Sequence, residues 1–273
     1  MTDGIQQNNV QFTYLQLIYM KIKYLILFLF FFSLTQAKVK IFTIGDSTMA
    51  DYDTVKYSGE KEQRGWCQLF PSLLSNDVTL KNVAKNGRSS KSFYKEIWVK
   101  LRDQIKPGDY VFIQFGHNDE KQNGMDTDEN DSTARGTNPW SMYQKYLKLY
   151  ITETRDRGAI PVLFTPVVRR YFVAGKLTQK AQHNLNENAL DTTLNYIASM
   201  KNVARQLTVP LIDMTSSTKN LVEKYGPDKS KKELFVNTDD THLKKEGALQ
   251  FAKLAAEELK VNNILHEYFI IKK

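Results

Sequence analysis

The chain has 273 residues, 41% of them hydrophobic and 25% charged, and a formal net charge of +8. That balance is ordinary for a globular protein with chain enough for a sizeable core. A single cysteine, Cys67, excludes an intrachain disulfide, and there is no Cys/His zinc pattern. No run of five like charges and no basic-aromatic repeat occurs, so the basic surface does not read as a nucleic-acid binder.

The first recognisable segment is Met20-Lys21-Ile22-Lys23, followed by the apolar run from Tyr24 to Leu34 and then Thr35-Gln36-Ala37. A short basic start, an apolar stretch and small residues at a cleavage point describe a secretory signal, with Met20 as its start. The run is short for a membrane span; an uncleaved N-terminal anchor is the rival reading. Residues 1–37 are therefore expected to be an extension plus signal peptide, and 38–273 a single secreted or periplasmic domain without a membrane span.

Val39, Ile41, Phe42 and Ile44 form an apolar, β-branched run cut short by Gly45-Asp46-Ser47, a buried strand ending in a tight turn with a serine at its tip. Helical spacing follows over Trp66 to Leu74, then a second strand over Val78 to Ala84, closed by Asn86-Gly87-Arg88-Ser89-Ser90. A helix is expected over Ser92 to Ile105. Tyr110 to Phe115 reads as a third strand ending in Gly116-His117-Asn118-Asp119. Residues 120–139 are polar, a loop of a length that is usually functional. Trp140 to Arg157 is helical, Ile160 to Thr165 the fourth strand, His183 to Leu207 a long helix, and Val209 to Met214 a short fifth strand. Helices follow around Leu221 and over Lys244 to Leu259, with a tail after Val261 apolar enough to pack back onto the body.

Strands alternating with helices predict a single α/β domain, a flavodoxin-like three-layer α/β/α sandwich around a parallel sheet. In the strand order 2-1-3-4-5, strands 2, 1 and 3 are neighbours near the switch point, and their tips carry Gly87, Ser47 and Asn118 side by side. Acyl transfer by a serine needs a base, a group to orient the base, and donors for the oxyanion. Asp239 and His242 supply acid and base three residues apart. The donors would be the N–H groups of Ser47 and Gly87 and the Asn118 amide.

Four stretches in this order, Gly45-Asp46-Ser47-Thr48, Asn82 to Ser90 with Gly87, Gly116-His117-Asn118-Asp119 and Asp239-x-x-His242, resemble the four blocks of the SGNH (GDSL-type) esterases. Phe112 to Asp119 and Thr165-Pro-Val-Val-Arg-Arg170 are similar to rhamnogalacturonan acetylesterases in particular. The resemblance implies Ser47 as nucleophile, Gly87 and Asn118 in the oxyanion hole, His242 as base and Asp239 as acid, with no metal or cofactor. It implies an exported carbohydrate O-acetylesterase acting on an acetylated polysaccharide, rhamnogalacturonan or pectin before other glycans. A lipid-active esterase or thioesterase on the same site is the competing enzyme, and a non-catalytic glycan-binding protein the competing class.

Around this centre, Arg88, Arg169 and Arg170 are candidates for uronate carboxylates, with ion pairs to acidic loops as the alternative. Trp66 and Trp140 are candidate sugar platforms, although aromatics at helical spacing are ordinarily core. His117 is a candidate hydrogen-bonded wall residue of the substrate site rather than the base, since Asp119 is the one carboxylate placed to orient it. Asp240 is expected to face solvent or a backbone N–H at the helix start. Cys67 stands where the family pattern leads one to expect glycine.

Overall fold

The structure, a computed structural model, describes residues 16, 18–24, 38–121, 134–178 and 195–270. It divides into two units, Met1–Lys38 and Val39–Lys273. In the first, residues 18–24 are helical and exposed; the apolar run of the expected signal lies almost wholly outside the described residues. Among the described residues no helix is long and apolar enough to cross a membrane.

The second unit is built on a five-stranded sheet. Its strands are β1 (Val39–Gly45), β2 (Val78–Asn82), β3 (Tyr110–Gln114), β4 (Ile160–Phe164) and, after a small hairpin β5 (Phe172–Val173) and β6 (Lys176–Leu177), β7 (Leu211–Ile212). The order is β2-β1-β3-β4-β7 and every pairing is parallel. This is the expected flavodoxin-like arrangement.

Side chains of period two divide the sheet between two cores. Phe42, Ile44, Val111, Ile113 and Leu163 pack on one face, Ile41, Phe112, Val162, Phe164 and Ile212 on the other. The first face is covered by α2 (Ser90–Phe93), α3 (Gln144–Arg155) and α4 (Tyr196–Leu207). The second is covered by α1 (Trp66–Leu69), α5 (Met214–Glu233) and α6 (Lys245–Val261). With both faces buried, the inner strands β3 and β4 read as nearly continuous apolar runs, whereas edge strand β2 alternates with polar residues.

Differences from expectation have local causes. α2 begins two residues before the expected Ser92, because Ser89 and Ser92 form a reciprocal capping box. It then runs on through a π-helical turn, Tyr94–Trp98, to Val99–Leu101. β7 is shorter than Val209 to Met214: Pro210 has no N–H to give a ladder, and the Asp213 side chain caps α5 by accepting from Ser216 N. The hairpin β5–β6, not anticipated, turns on Ala174-Gly175, both at positive φ as such a tight turn requires. α4 (Tyr196–Leu207) is the second half of the helix expected from His183; its first part, residues 183–194, like most of the polar loop after residue 121, lies outside the described residues. The tail does fold back, with Leu265 and Phe269 buried and Ile270 N donating to Leu73 O at 2.9 Å.

Registers Thr43↔Asn82 and Gly45↔Gln114 align the ends of β2, β1 and β3. The segments leaving them therefore meet at the carboxyl edge of the sheet, where α/β proteins bind ligands.

Candidate active site

Ser47 sits in the turn directly after β1 and is 8% exposed. The turn is held by its own side chains. Asp46 Oδ1 accepts from Thr48 N (2.9 Å) and Thr48 Oγ1 (2.8 Å), while Asp46 O accepts from Met49 N and Ala50 N. Two longer-range contacts fasten it to the fold: Gln114 Nε2 donates to Thr48 Oγ1 (2.8 Å), and Tyr52 Oη donates to Ser47 O (3.0 Å). From the end of β2, Asn82 receives Thr43 Oγ1 (2.7 Å) and donates to Met49 O (2.8 Å), tying β2 to β1 on both sides of the serine.

His242 arrives from the other end of the chain, on the loop between α5 and α6. The base of that loop is closed by Val236 N to His242 O (2.9 Å) and by Arg64 N to Leu243 O (2.9 Å). Within it, Asp239 Oδ1 accepts from Thr241 N and His242 N, both at 2.7 Å, an Asx-type turn. The other oxygen, Oδ2, lies 2.8 Å from His242 Nδ1, and His242 Nε2 lies 3.0 Å from Ser47 Oγ. Carboxylate, imidazole and hydroxyl thus stand in one hydrogen-bonded run. Burial works to raise the Asp239 carboxyl, but the imidazole and the two backbone donors outweigh it and bring it down to about 2. A carboxylate ionised at all ordinary pH values facing Nδ1 favours the tautomer with its proton there, leaving Nε2 as acceptor for the serine.

Asn118 follows β3, 7% exposed, and one of its amide hydrogens goes to Arg88 O at 3.2 Å. The second remains for another acceptor. Gly87, after β2, has φ +71°, a left-handed conformation that favours glycine.

A family model described as GDSL-like Lipase/Acylhydrolase matches residues 41–255, from β1 through most of α6. The chain belongs to that family. It is an esterase. Rhamnogalacturonan acetylesterase RhgT of Bacillus subtilis is 37% identical over 233 residues, covering 80% of this chain and 88% of that protein. The probable rhamnogalacturonan acetylesterase YesY of the same organism is 33% identical over 224 residues, covering 81% and 92%. Among solved structures, Bacillus subtilis YxiM superposes with a TM-score of 0.66 at 25% identity, covering 83% of this chain; the chain spans only 57% of that longer protein. The acetylxylan esterase Axe2 of Geobacillus stearothermophilus shares the fold, with a TM-score of 0.54 at 16% identity over 82% and 96%.

Several expectations about the surroundings of the candidate site are corrected. Trp66 is no sugar platform: it is fully buried, edge-on to Phe70, with its indole N–H donating to Gln114 Oε1 at 3.2 Å. It instead supports the glutamine that holds Thr48. Trp140 is exposed, on the π-helical turn before α3. Asp240 caps no helix start; partly exposed, it pairs with Arg170, whose backbone N–H also donates to Asp240 O at 2.8 Å. Arg88 pairs with Glu96 at 2.7 Å. Arg169 is buried against Glu120 and reaches Thr241 Oγ1 in the histidine loop.

The carboxylate beside His117 is Asp46, not Asp119. His117 is 3% exposed and its Nδ1 lies 3.5 Å from Asp46 Oδ2. Burial works to raise the Asp46 carboxyl, but His117 and the Thr48 donors hold it below the usual range. Asp119 faces α2, accepting from Ser90 N and Oγ and from Thr137 Oγ1. Burial pushes it up to about 7 in spite of those donors. Cys67 is buried and its thiol is raised well above the ordinary value by burial, so it is not a poised nucleophile. Among the described residues no group of three His, Cys, Asp or Glu side chains is arranged to hold a metal ion.

Sequence reading missed Tyr52 and Gln114, whose polar tips support the serine turn. A tyrosine in a polar loop and a glutamine in a strand carry no local pattern that would single them out.

Proposed function

We propose that this esterase is a carbohydrate O-acetylesterase with Ser47 as nucleophile, His242 as general base and Asp239 as the acid that orients it. The observation that carries the reading is the run from Asp239 Oδ2 to His242 Nδ1 (2.8 Å) and from His242 Nε2 to Ser47 Oγ (3.0 Å). Ser47 Oγ attacks the acetyl carbonyl as Nε2 takes its proton, forming a C–O bond and an oxyanion. The N–H groups of Ser47 and Gly87 and the free Asn118 amide hydrogen would meet that oxyanion. The imidazolium then protonates the departing sugar oxygen, leaving an acetyl-serine. Water, deprotonated by His242, attacks the acetyl-serine and releases acetate.

The substrate class is supported by relatives named as rhamnogalacturonan acetylesterases at 37% and 33% identity, so an acetylated rhamnogalacturonan is the proposed polymer. Acetate release from acetylated rhamnogalacturonan, acetylated xylan and p-nitrophenyl esters of rising chain length tests the reading. Fast acetate release from the first with slow cleavage of long acyl esters is expected; the reverse order would make the protein a lipid esterase. Export is proposed on the Lys21 to Ala37 segment. N-terminal sequencing of protein recovered from outside the cell should start near Lys38, and a retained Met20 would overturn cleavage.

A further inference from the structure

The arginines singled out from sequence are all engaged. Arg88 holds Glu96, Arg169 holds Glu120 and Arg170 holds Asp240. A fourth, Arg135, is not. Its guanidinium makes no hydrogen bond or ion pair with a described residue, and its Nε is buried without a partner.

Its place is specific. A Cβ at Gly87 would stand 3.1 Å from Arg135 Nη1, 3.4 Å from Cζ and 3.6 Å from Nη2. Three atoms at nearly equal distance mean that the guanidinium plane lies flat over Gly87, in the segment after β2 beside the serine turn. A Cβ at residue 87 would press the guanidinium back by a few tenths of an ångström, so glycine allows the closest approach here. The backbone bearing Arg135 is pinned as well. Thr137 N donates to Asp119 O (2.8 Å), Thr137 Oγ1 to Asp119 Oδ1 (2.8 Å), and Tyr196 Oη to Thr137 O (2.6 Å). A planar fork with its N–H edges unspent, held in place beside the reaction centre, is suited to bidentate capture of a carboxylate.

We propose that Arg135 is a specificity residue that binds the carboxylate of an acidic sugar in the polymer chain, next to the acetylated unit. The proposal rests on the carbohydrate esterase reading and deepens it: the uronate of the proposed polymer is recognised by charge at the Gly87 side of the site. Arg135 takes no part in bond making. It sets which polymer stays long enough to react, so its effect belongs mainly in KM.

The test uses the full chain and two substrates, acetylated rhamnogalacturonan and the same polymer with its uronate carboxyls reduced to primary alcohols. Wild type should prefer the acidic form by about tenfold to a hundredfold in kcat/KM, the range of a charge-assisted pair at a partly shielded site. Arg135→Gln should abolish most of that preference, chiefly through KM, and Arg135→Lys should keep part of it. Added salt should weaken the preference of wild type and leave Arg135→Gln insensitive. Undiminished preference in Arg135→Gln, or an equal loss on both polymers, would overturn the assignment; the second outcome would mark a group serving the oxyanion or the fold. Wild type cleaving both polymers without preference overturns this inference alone. Cleavage of p-nitrophenyl acetate but of neither polymer overturns the carbohydrate reading, and the inference with it.

Discussion

The two sides of the candidate site are held by different physical means. Ser47 stands at the end of a central strand, 8% exposed, with its neighbours locked by buried hydrogen bonds from β2 and β3. Asp239 and His242 lie on a loop, with side chains 38% and 28% exposed. Their loop is kept in place by its own Asx turn and by two arginines from the segment after β4. The serine side is thus positioned by the sheet, where moving one residue means breaking a core. The histidine side is positioned by polar contacts that can be removed one at a time. Function should therefore be robust to change behind the serine only if the core survives, yet tunable from the arginine side.

The severest way to break the comparison is at its centre. Ser47→Ala should keep the melting temperature and lower kcat by ~10⁴-fold or more. A folded variant with near-native turnover would remove the serine from the mechanism. Asp239→Asn comes next, with an expected loss of up to ~10⁴-fold in kcat. Here the exposed side is informative: the asparagine can keep the Asx turn through its remaining oxygen while no longer fixing the imidazole tautomer. Thermal melting should change little as the rate collapses, and a loss of structure instead would show that the turn, not the charge, is what matters. Asn118→Ala should cost roughly 10²–10³-fold in kcat with KM much less affected, measured on a soluble acetyl ester to avoid polymer effects.

Arg169 sharpens the contrast because it spans the two sides. Arg169→Gln breaks the buried pair with Glu120 and should destabilise the fold, by up to about 3–5 kcal/mol. Adding Glu120→Gln should restore much of that stability. If Arg169 also steadies the histidine loop, the double variant will melt near wild type while kcat stays reduced. Recovery of both together would limit Arg169 to the fold. The smallest effect belongs to Asp240→Asn, which removes a partly exposed ion pair and should cost about 0–1 kcal/mol. Activity near wild type is expected there, and a large loss of rate would make Asp240 rather than Asp239 the orienting acid.

Much of this is legible in the sequence, because the informative pieces are local. A β-branched run ended by Gly45-Asp46-Ser47, a polar turn carrying Asp239 three residues before His242, and alternating strands and helices each encode their conformation in adjacent residues. The alternation left a few parallel orders open, 2-1-3-4-5 among them, and the strand pairing itself selects that one. What the local pattern lacked was the identity of partners distant in sequence. Arg169 meets Thr241 across 72 residues and Arg170 meets Asp240 across 70, and no periodicity marks an arginine as already neutralised. Trp66 has the same composition cue whether it lines a groove or fills a core; only the packing of Phe70, Phe164 and Gln114 around it decided. Arg135 illustrates the limit from the other side. In sequence it is one basic residue in a polar loop, and only the fold laid it over Gly87 with its charge unspent, because neutralisation depends on what long-range packing brings within reach.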